Sequence, residues 1–232
     1  MPHQFLSNMQ SYQLQNMPCG YACRKAEFAP ERFDAQIFAS AGLKLPKELA
    51  KASAKRLTEF LAGRLLAKEV LQDLQAESFE LKYRPQEAPL WPQGFAGSLS
   101  HKNHDAIALC VNDPSLSVGI DMEHWMAPDQ AQKISAKVLT PQEAHWKSQS
   151  NAEELITIIF SAKEALFKML HPTVEKFFGF QAVALVALDE NEQSFQLQLQ
   201  TDLGTGQTSG KIFSGAFLSN KQGVVTHLHA RL

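Results

Sequence analysis

Cysteine is scarce in this 232-residue chain, and what there is does not pair off: Cys19, Cys23 and Cys110 make an odd number. Their spacing matches no zinc pattern, so free thiols in a reducing compartment are expected, with Cys19-x3-Cys23 the one pair placed for a bridge. Long apolar runs are missing too, which excludes stable membrane insertion by a spanning helix. Met1 to Gln15 is polar, without the charged and then apolar stretches of a signal peptide, and a cytoplasmic location is expected. A net charge of -2 gives no general reason for nucleic-acid binding, so any basic site has to be local. No internal repeat or low-complexity linker interrupts the chain. What remains is 44% hydrophobic and 20% charged residues, enough to bury a proper core in one large domain or two small ones.

The pattern along the chain is mixed. Residues 1 to 30 read as irregular or weakly stranded, Glu31 to Ala41 as a short helix, and Lys47 to Gln75 as a long helix rich in Ala, Leu, Lys and Glu. Phe79 to Tyr83 reads as a short strand, and the proline-rich stretch Arg84 to Phe95 as a loop. Strands are predicted over 95–100, 106–111 and 118–123. Thr140-Pro-Gln-Glu143 has the form of a helix start, with an N-cap, a proline at the first helical position and a glutamate three residues after the cap. Leu155 to Leu170 is the best helix, and strands follow over 182–188, 195–201, 211–217 and 224–230. Long helices interspersed with hairpins predict an α+β protein. A seam near residue 118 divides it into an N-terminal half, 1–117, and a C-terminal half, 118–232.

Two acidic segments carry chemistry. In Val118-Gly-Ile-Asp-Met-Glu123 the strand period aims Asp121 and Glu123 to one side and turns Ile120 and Met122 to the core. Carboxylates held so close repel unless a cation sits between them, and a hard divalent ion suits such oxygens. Phe160-Ser-Ala-Lys-Glu-Ala-Leu-Phe-Lys168 brings a third carboxylate, Glu164, about 40 residues later. On this helix Leu155, Ile159, Ala162, Leu166, Met169 and Leu170 form one stripe, with Glu164 and Lys168 on the opposite side. The bland reading is a surface Glu–Lys pair. Phe160 and Phe167, flanking that pair, argue instead for a cleft or a second packing surface. In the earlier helix Leu57, Leu61 and Leu71 define a face, with Arg64 and Lys68 near it. Arg64 and Arg56, about two turns apart, either snorkel or grip a phosphate between them. His227 and His229 share a strand face and read as structural or exposed.

Five segments in order carry a resemblance: Arg56-Leu-Thr-Glu-Phe-Leu-Ala-Gly-Arg64, Pro89-Leu-Trp-Pro92, Gly97-Ser-Leu-Ser-His101, Gly119-Ile-Asp-Met-Glu123 and Phe160-Ser-Ala-Lys-Glu-Ala-Leu-Phe-Lys168. Over roughly residues 50 to 185 the chain resembles the surfactin- and enterobactin-type 4′-phosphopantetheinyl transferases, and its pattern is nearest to the enterobactin-synthase branch. The resemblance implies two similar α+β halves related by pseudo-twofold symmetry, with the active site at the cleft between them, and hence a monomer. It implies Mg²⁺-dependent transfer of the phosphopantetheine arm of coenzyme A to a serine of an apo acyl-carrier or peptidyl-carrier protein, releasing adenosine 3′,5′-bisphosphate. By motif, Asp121, Glu123 and Glu164 are the Mg²⁺ ligands. Glu164 is the base for the carrier serine, and Lys168 neutralises the pyrophosphate and protonates the leaving phosphate. Ser100, His101, Arg56 and Arg64 contact the 3′-phosphate side of the nucleotide. Where relatives carry Lys or Arg before the Pro-x-Trp-Pro segment, this chain offers Arg84 or Gln86. Two further readings of the same residues stand beside transfer: a coenzyme A or carrier-protein binding module without turnover, and a Mg²⁺-dependent phosphohydrolase. The carrier and its pathway, siderophore, polyketide or lipid, are not legible.

Overall fold

The computed structural model describes residues 5–18, 20–84 and 88–232. The chain forms two compact units, one of Met1–Gln13 and Met17–Ser115, the other of Leu14–Asn16 and Leu116–Leu232. Each is α+β, with a long helix against an antiparallel sheet.

In the first unit, β1 (Leu6–Ser11), β2 (Tyr21–Phe28), β3 (Ala96–Lys102) and β4 (Asp105–Val111) form a sheet of order β1-β2-β4-β3. Two strands, β1 and β2, thus stand where the sequence suggests irregular or weakly stranded chain. A shift in register between Ser7 and Gln10, with Asn8 at φ 50°, breaks the alternation that would have revealed β1. A 3-10 turn at Pro30–Arg32 and the five-residue helix α1 (Gln36–Ser40) replace the single helix expected there. The long helix α2 is shorter than expected, Ala54–Asp73. Ser53 stays extended and its hydroxyl accepts from the Arg56 amide at 3.2 Å, so the helix starts at that cap. Residues Lys47–Leu49 form a separate 3-10 turn. Gln75, at φ 56°, ends the helix in the left-handed region. From Phe60 to Ala67 every residue of α2 is buried, which is why its sequence shows no clean wet face. The strand expected at 79–83 is a single bridge, Lys82 to Leu90.

In the second unit, β5 (Ser117–His124), β6 (Val183–Asp189), β7 (Ser194–Leu199), β8 (Ile212–Ser219) and β9 (Gly223–Ala230) form a sheet of order β5-β9-β8-β7-β6. Helix α3 (Pro128–Val138) has no counterpart in the sequence reading. The Thr140 start leads into a 3-10 helix, Pro141–Ser148, rather than an α-helix. Helix α4 runs from Ala152 to Val174 and stops where Glu175 turns left-handed at φ 52°. All six stripe residues named from its period are buried, at most 1% exposed. The stripe packs on β5 and β9. The approach is close: a Cβ on Gly119 would overlap the Ala165 carbonyl, so only glycine lets strand and helix meet there.

Cys23 and Cys110 are free, buried thiols, as the odd count suggested, and Cys19 lies outside the described residues. Burial raises both thiols, Cys110 to about 12, so neither is nucleophilic at neutral pH.

Candidate active site

On β5 the strand period puts Gly119, Asp121 and Glu123 toward α4, opposite Leu228, Thr226 and Val224 of β9. Ile120 and Met122 are buried as expected, but so are the carboxylates: Asp121 is 3% and Glu123 7% exposed. The strand is covered on both faces, and the acidic pair is no solvated edge. Buried carboxylates need hydrogen bonds or cations to stay ionised. Asp121 has both. Its Oδ1 accepts from Lys168 Nζ at 2.6 Å and its Oδ2 from Ser161 Oγ at 2.8 Å. Ser161 in turn lies 2.9 Å from Thr226 Oγ1.

Ser161, Glu164 and Lys168 occupy α4 at i, i+3 and i+7 and so share one side. The Glu164 carboxyl is raised above its ordinary value first by burial, then by the charge on Asp121, while Lys168 pulls it back down. Glu164, Asp121 and Lys168 therefore act on one another electrostatically, although they come from segments some 40 residues apart in sequence. Among the described residues no three His, Cys, Asp or Glu side chains are drawn together as a ready cation cage. The donors nevertheless suit Mg²⁺ in kind: they are hard oxygens, two of them buried on one strand face, with a carboxyl above them whose proton affinity already registers Asp121. Glu164 is half-buried.

The aromatics beside Glu164 form a second packing surface. Phe160 meets Phe180 at 5.5 Å between ring centroids, and Phe167 meets Phe178 at 5.1 Å and Phe177 at 5.8 Å. Phe167, Phe177, Phe178 and Phe180 border a cleft of about 120 Å³ that Glu164 and Lys163 also line. Phe177 is 84% exposed, an unusual position for so large an apolar side chain.

Lys163, which received no role from the sequence, is buried. Its Nζ donates to Glu143 Oε2 at 2.7 Å and to the Val138 carbonyl at 2.8 Å. Glu143, fully buried, also accepts from the Thr140 amide at 2.7 Å and the Leu185 amide at 2.6 Å. The glutamate that marks a helix start in sequence thus joins three segments in space and anchors the helix next to Glu164.

In the first unit, Arg64 is buried on α2, with its guanidinium 4.4 Å above the Phe60 ring. Its Nε has no hydrogen-bond partner among the described residues. Burial, and then the charge of Arg56, push its pKa down to about 10, so it is still a cation at neutral pH. Arg56 is exposed one side of it, and the two guanidinium groups feel each other as the spacing suggested. Lys68 is not part of this pair: it donates to the Ala41 carbonyl at 2.7 Å. Ser100 and His101 are neighbours on β3 and so point to opposite faces. His101 Nδ1 lies 3.9 Å from Glu59 of α2, on the side of the arginines, whereas Ser100 is buried on the other face. Arg84 donates from Nε and Nη2 to the Ala88 carbonyl at 3.3 and 3.2 Å. Gln86 lies outside the described residues.

Sequence reasoning missed Ser161, Thr226 and the Lys163–Glu143 pair. Helical spacing from Glu164 and Lys168 held the signal for Ser161; the other partners depend on strand register and chain return.

Two family models match the chain: 4′-phosphopantetheinyl transferase N-terminal domain over residues 45–111, and 4′-phosphopantetheinyl transferase superfamily over residues 117–215. Enterobactin synthase component D of Escherichia coli K12 is 31% identical over 157 residues, covering 64% of this chain and 70% of that protein. 4′-Phosphopantetheinyl transferase Npt of Nocardia iowensis is 32% identical over 136 residues, covering 57% and 60%. 4′-Phosphopantetheinyl transferase PptT of Mycobacterium tuberculosis is 29% identical over 150 residues, covering 59% and 62%. The matched part thus spans less than two thirds of the length of Npt and PptT. With both model matches in sequence order and the five motifs inside them, the chain belongs to the 4′-phosphopantetheinyl transferase superfamily.

Proposed function

We propose that the protein transfers the 4′-phosphopantetheine arm of coenzyme A to a serine of an apo acyl-carrier or peptidyl-carrier protein, with Mg²⁺, releasing adenosine 3′,5′-bisphosphate. The observation that carries this is the mutual influence of Asp121, Glu164 and Lys168, two carboxylates and one ammonium in a buried setting. Phosphoryl transfer needs positioning and charge neutralisation more than covalent help.

Asp121, Glu123 and Glu164 would hold Mg²⁺. The ion, when bound, neutralises charge on the pyrophosphate. Glu164 takes the proton of the carrier serine as its Oγ bonds to the β-phosphorus of coenzyme A. A carboxyl raised by burial is a better base than an exposed one, because its proton affinity lies nearer neutrality. The bond from that phosphorus to the bridging oxygen breaks, and the negative charge leaves with adenosine 3′,5′-bisphosphate. Lys168, half-buried and already charge-paired with Asp121, supplies positive charge at the leaving oxygen and can donate its proton there. In the first unit Arg56, Arg64 and His101 offer cationic or donor groups to the 3′-phosphate, while Arg84, before β3, and Ser100, on the other face of β3, are the remaining groups for nucleotide contact. The exposed Phe177, beside the Phe167 cluster, suits an apolar contact from the carrier. Among the described residues no helix is long and apolar enough to cross a membrane. The free, buried thiols of Cys23 and Cys110 fit a cytoplasmic location.

The test is direct. The protein is incubated with coenzyme A, Mg²⁺ and an apo carrier protein, and the carrier is weighed. A gain of one phosphopantetheine arm supports transfer. An unchanged carrier with coenzyme A bound to the protein means a binding module, and cleaved coenzyme A with an unchanged carrier means a hydrolase.

A further inference from the structure

Asp121 is the hub of the site, yet its two oxygens are held in different ways. Lys168, on Oδ1, has a side chain 25% exposed at the end of a flexible stem. Ser161 and Thr226, behind Oδ2, are completely buried and sit on two different elements, α4 and β9. Ser161 has a single hydroxyl proton, which goes to Asp121 Oδ2. It therefore accepts in its contact with Thr226, whose own hydroxyl is the donor. The result is a one-way relay: Thr226 O–H to Ser161 Oγ, and Ser161 O–H to Asp121 Oδ2. Thr226 is also the residue directly across the sheet from Asp121, so the relay closes a small triangle of strand, strand and helix.

We propose that Ser161, oriented by Thr226, is a positioning residue that fixes the plane of the Asp121 carboxylate and thereby sets the protein's affinity for a divalent cation. The relay pins Oδ2, and pinning one oxygen of a planar carboxylate leaves Oδ1 aimed at the side of Lys168 and Glu164. Lys168 cannot do this job, because it has to be free to turn toward substrate phosphate. Partners behind a ligating group act in this way by holding it in its productive orientation. The inference rests on the reading of Asp121 as a metal ligand.

The experiment measures Mn²⁺ binding to the full chain by electron paramagnetic resonance, alongside turnover at varied Mg²⁺. Ser161→Ala is expected to weaken Mn²⁺ by about 10- to 100-fold. Coenzyme A affinity without metal should change less than about twofold, and kcat should return toward the original value at saturating Mg²⁺. Ser161→Thr keeps the hydroxyl and is expected to restore Mn²⁺ affinity. Thr226→Val, nearly isosteric, tests the same relay from its far end should Ser161→Ala fold poorly; Thr226→Ser should behave like the unaltered protein. Unchanged Mn²⁺ affinity in folded Ser161→Ala and Thr226→Val would overturn the proposal and leave both hydroxyls as core filling. If the unaltered chain transfers the arm but binds no Mn²⁺, the positioning proposal fails while transfer stands; if it binds Mn²⁺ through this relay yet modifies no carrier, transfer fails and the positioning proposal stands.

Discussion

Lys168 Nζ stands 2.6 Å from Asp121 Oδ1, on a residue 47 positions earlier in the chain, and after burial both groups act on the proton of Glu164, in opposite directions. The ammonium balances one buried carboxylate and lowers the proton affinity of the next. Removing either partner should thus move Glu164 in opposite directions. Lys168→Met is expected to raise the Glu164 pKa further and Asp121→Asn to lower it, read by carbon-detected NMR titration of the Glu164 carboxyl. A Glu164 titration indifferent to both changes would show that the three do not work together.

Glu164→Gln should abolish transfer, by ~100-fold or more, and still fold. Its stability follows from linkage. Because the folded protein holds the Glu164 proton more tightly than the unfolded chain, that contribution is full below the ordinary value of 4.5 and is lost as pH rises through the folded value. Glu164→Gln should therefore melt higher than the unaltered protein at neutral pH without metal, and the advantage should vanish near pH 4.5. Calorimetry over this range decides it. Asp121→Asn should likewise lose transfer while keeping the fold.

Arg64 is a buried cation whose Nε lacks a partner among the described residues, and such a group costs stability unless an anion arrives. Arg64→Met is expected to stabilise the free protein by ~1 kcal/mol, about 2–4 °C in Tm. The same change should weaken coenzyme A more than dephospho-coenzyme A. Exposed Arg56→Ala should share the second effect without the first. Equal loss of affinity for both ligands would remove the arginines from the 3′-phosphate.

Breaking the Lys163–Glu143 pair strands a charge in the core of the second unit. Lys163→Met should cost about 3–5 kcal/mol in urea unfolding. Lys163→Met with Glu143→Gln together should cost clearly less than the sum, since the second change removes the stranded charge. A loss below ~1 kcal/mol for the single variant would mean that the pair is solvated in solution.

His227, next to Thr226 on β9 and paired with Ile120 of β5, should be visible in acid. Burial, and then His229, push its pKa from 6.5 to about 4. The unfolded chain thus binds a proton that the folded one refuses, and stability falls as pH drops from 6.5 toward 4. His227→Leu should flatten this part of the pH–stability curve, measured by thermal melting in steps across it.

Much of this was readable from short stretches of chain. Alternation around Asp121 and Glu123, the period of Leu155 to Leu170 and the Thr140-Pro141 cap signal depend on neighbours within a few residues. So do the sides of α4 on which Glu164 and Lys168 fall. The carboxylate trio and the basic pair could be named from such spacing, with the family resemblance supplying their roles.

Other features needed the folded chain. Strand β2 lies between β1 and β4, and its Lys25 pairs with Asp105 at 3.1 Å, a partner 80 residues on. No window of sequence contains both. The same is true of Thr226 behind Ser161, of Glu143 under Lys163, and of the burial of Asp121 on a strand covered on both faces. The sequence by itself determined which groups carry charge and which side of a helix or strand they take, because helical and strand periods are local. Only the tertiary structure decided which charges are buried and what holds them, because desolvation and hydrogen-bond partners come from segments that meet only when the chain folds.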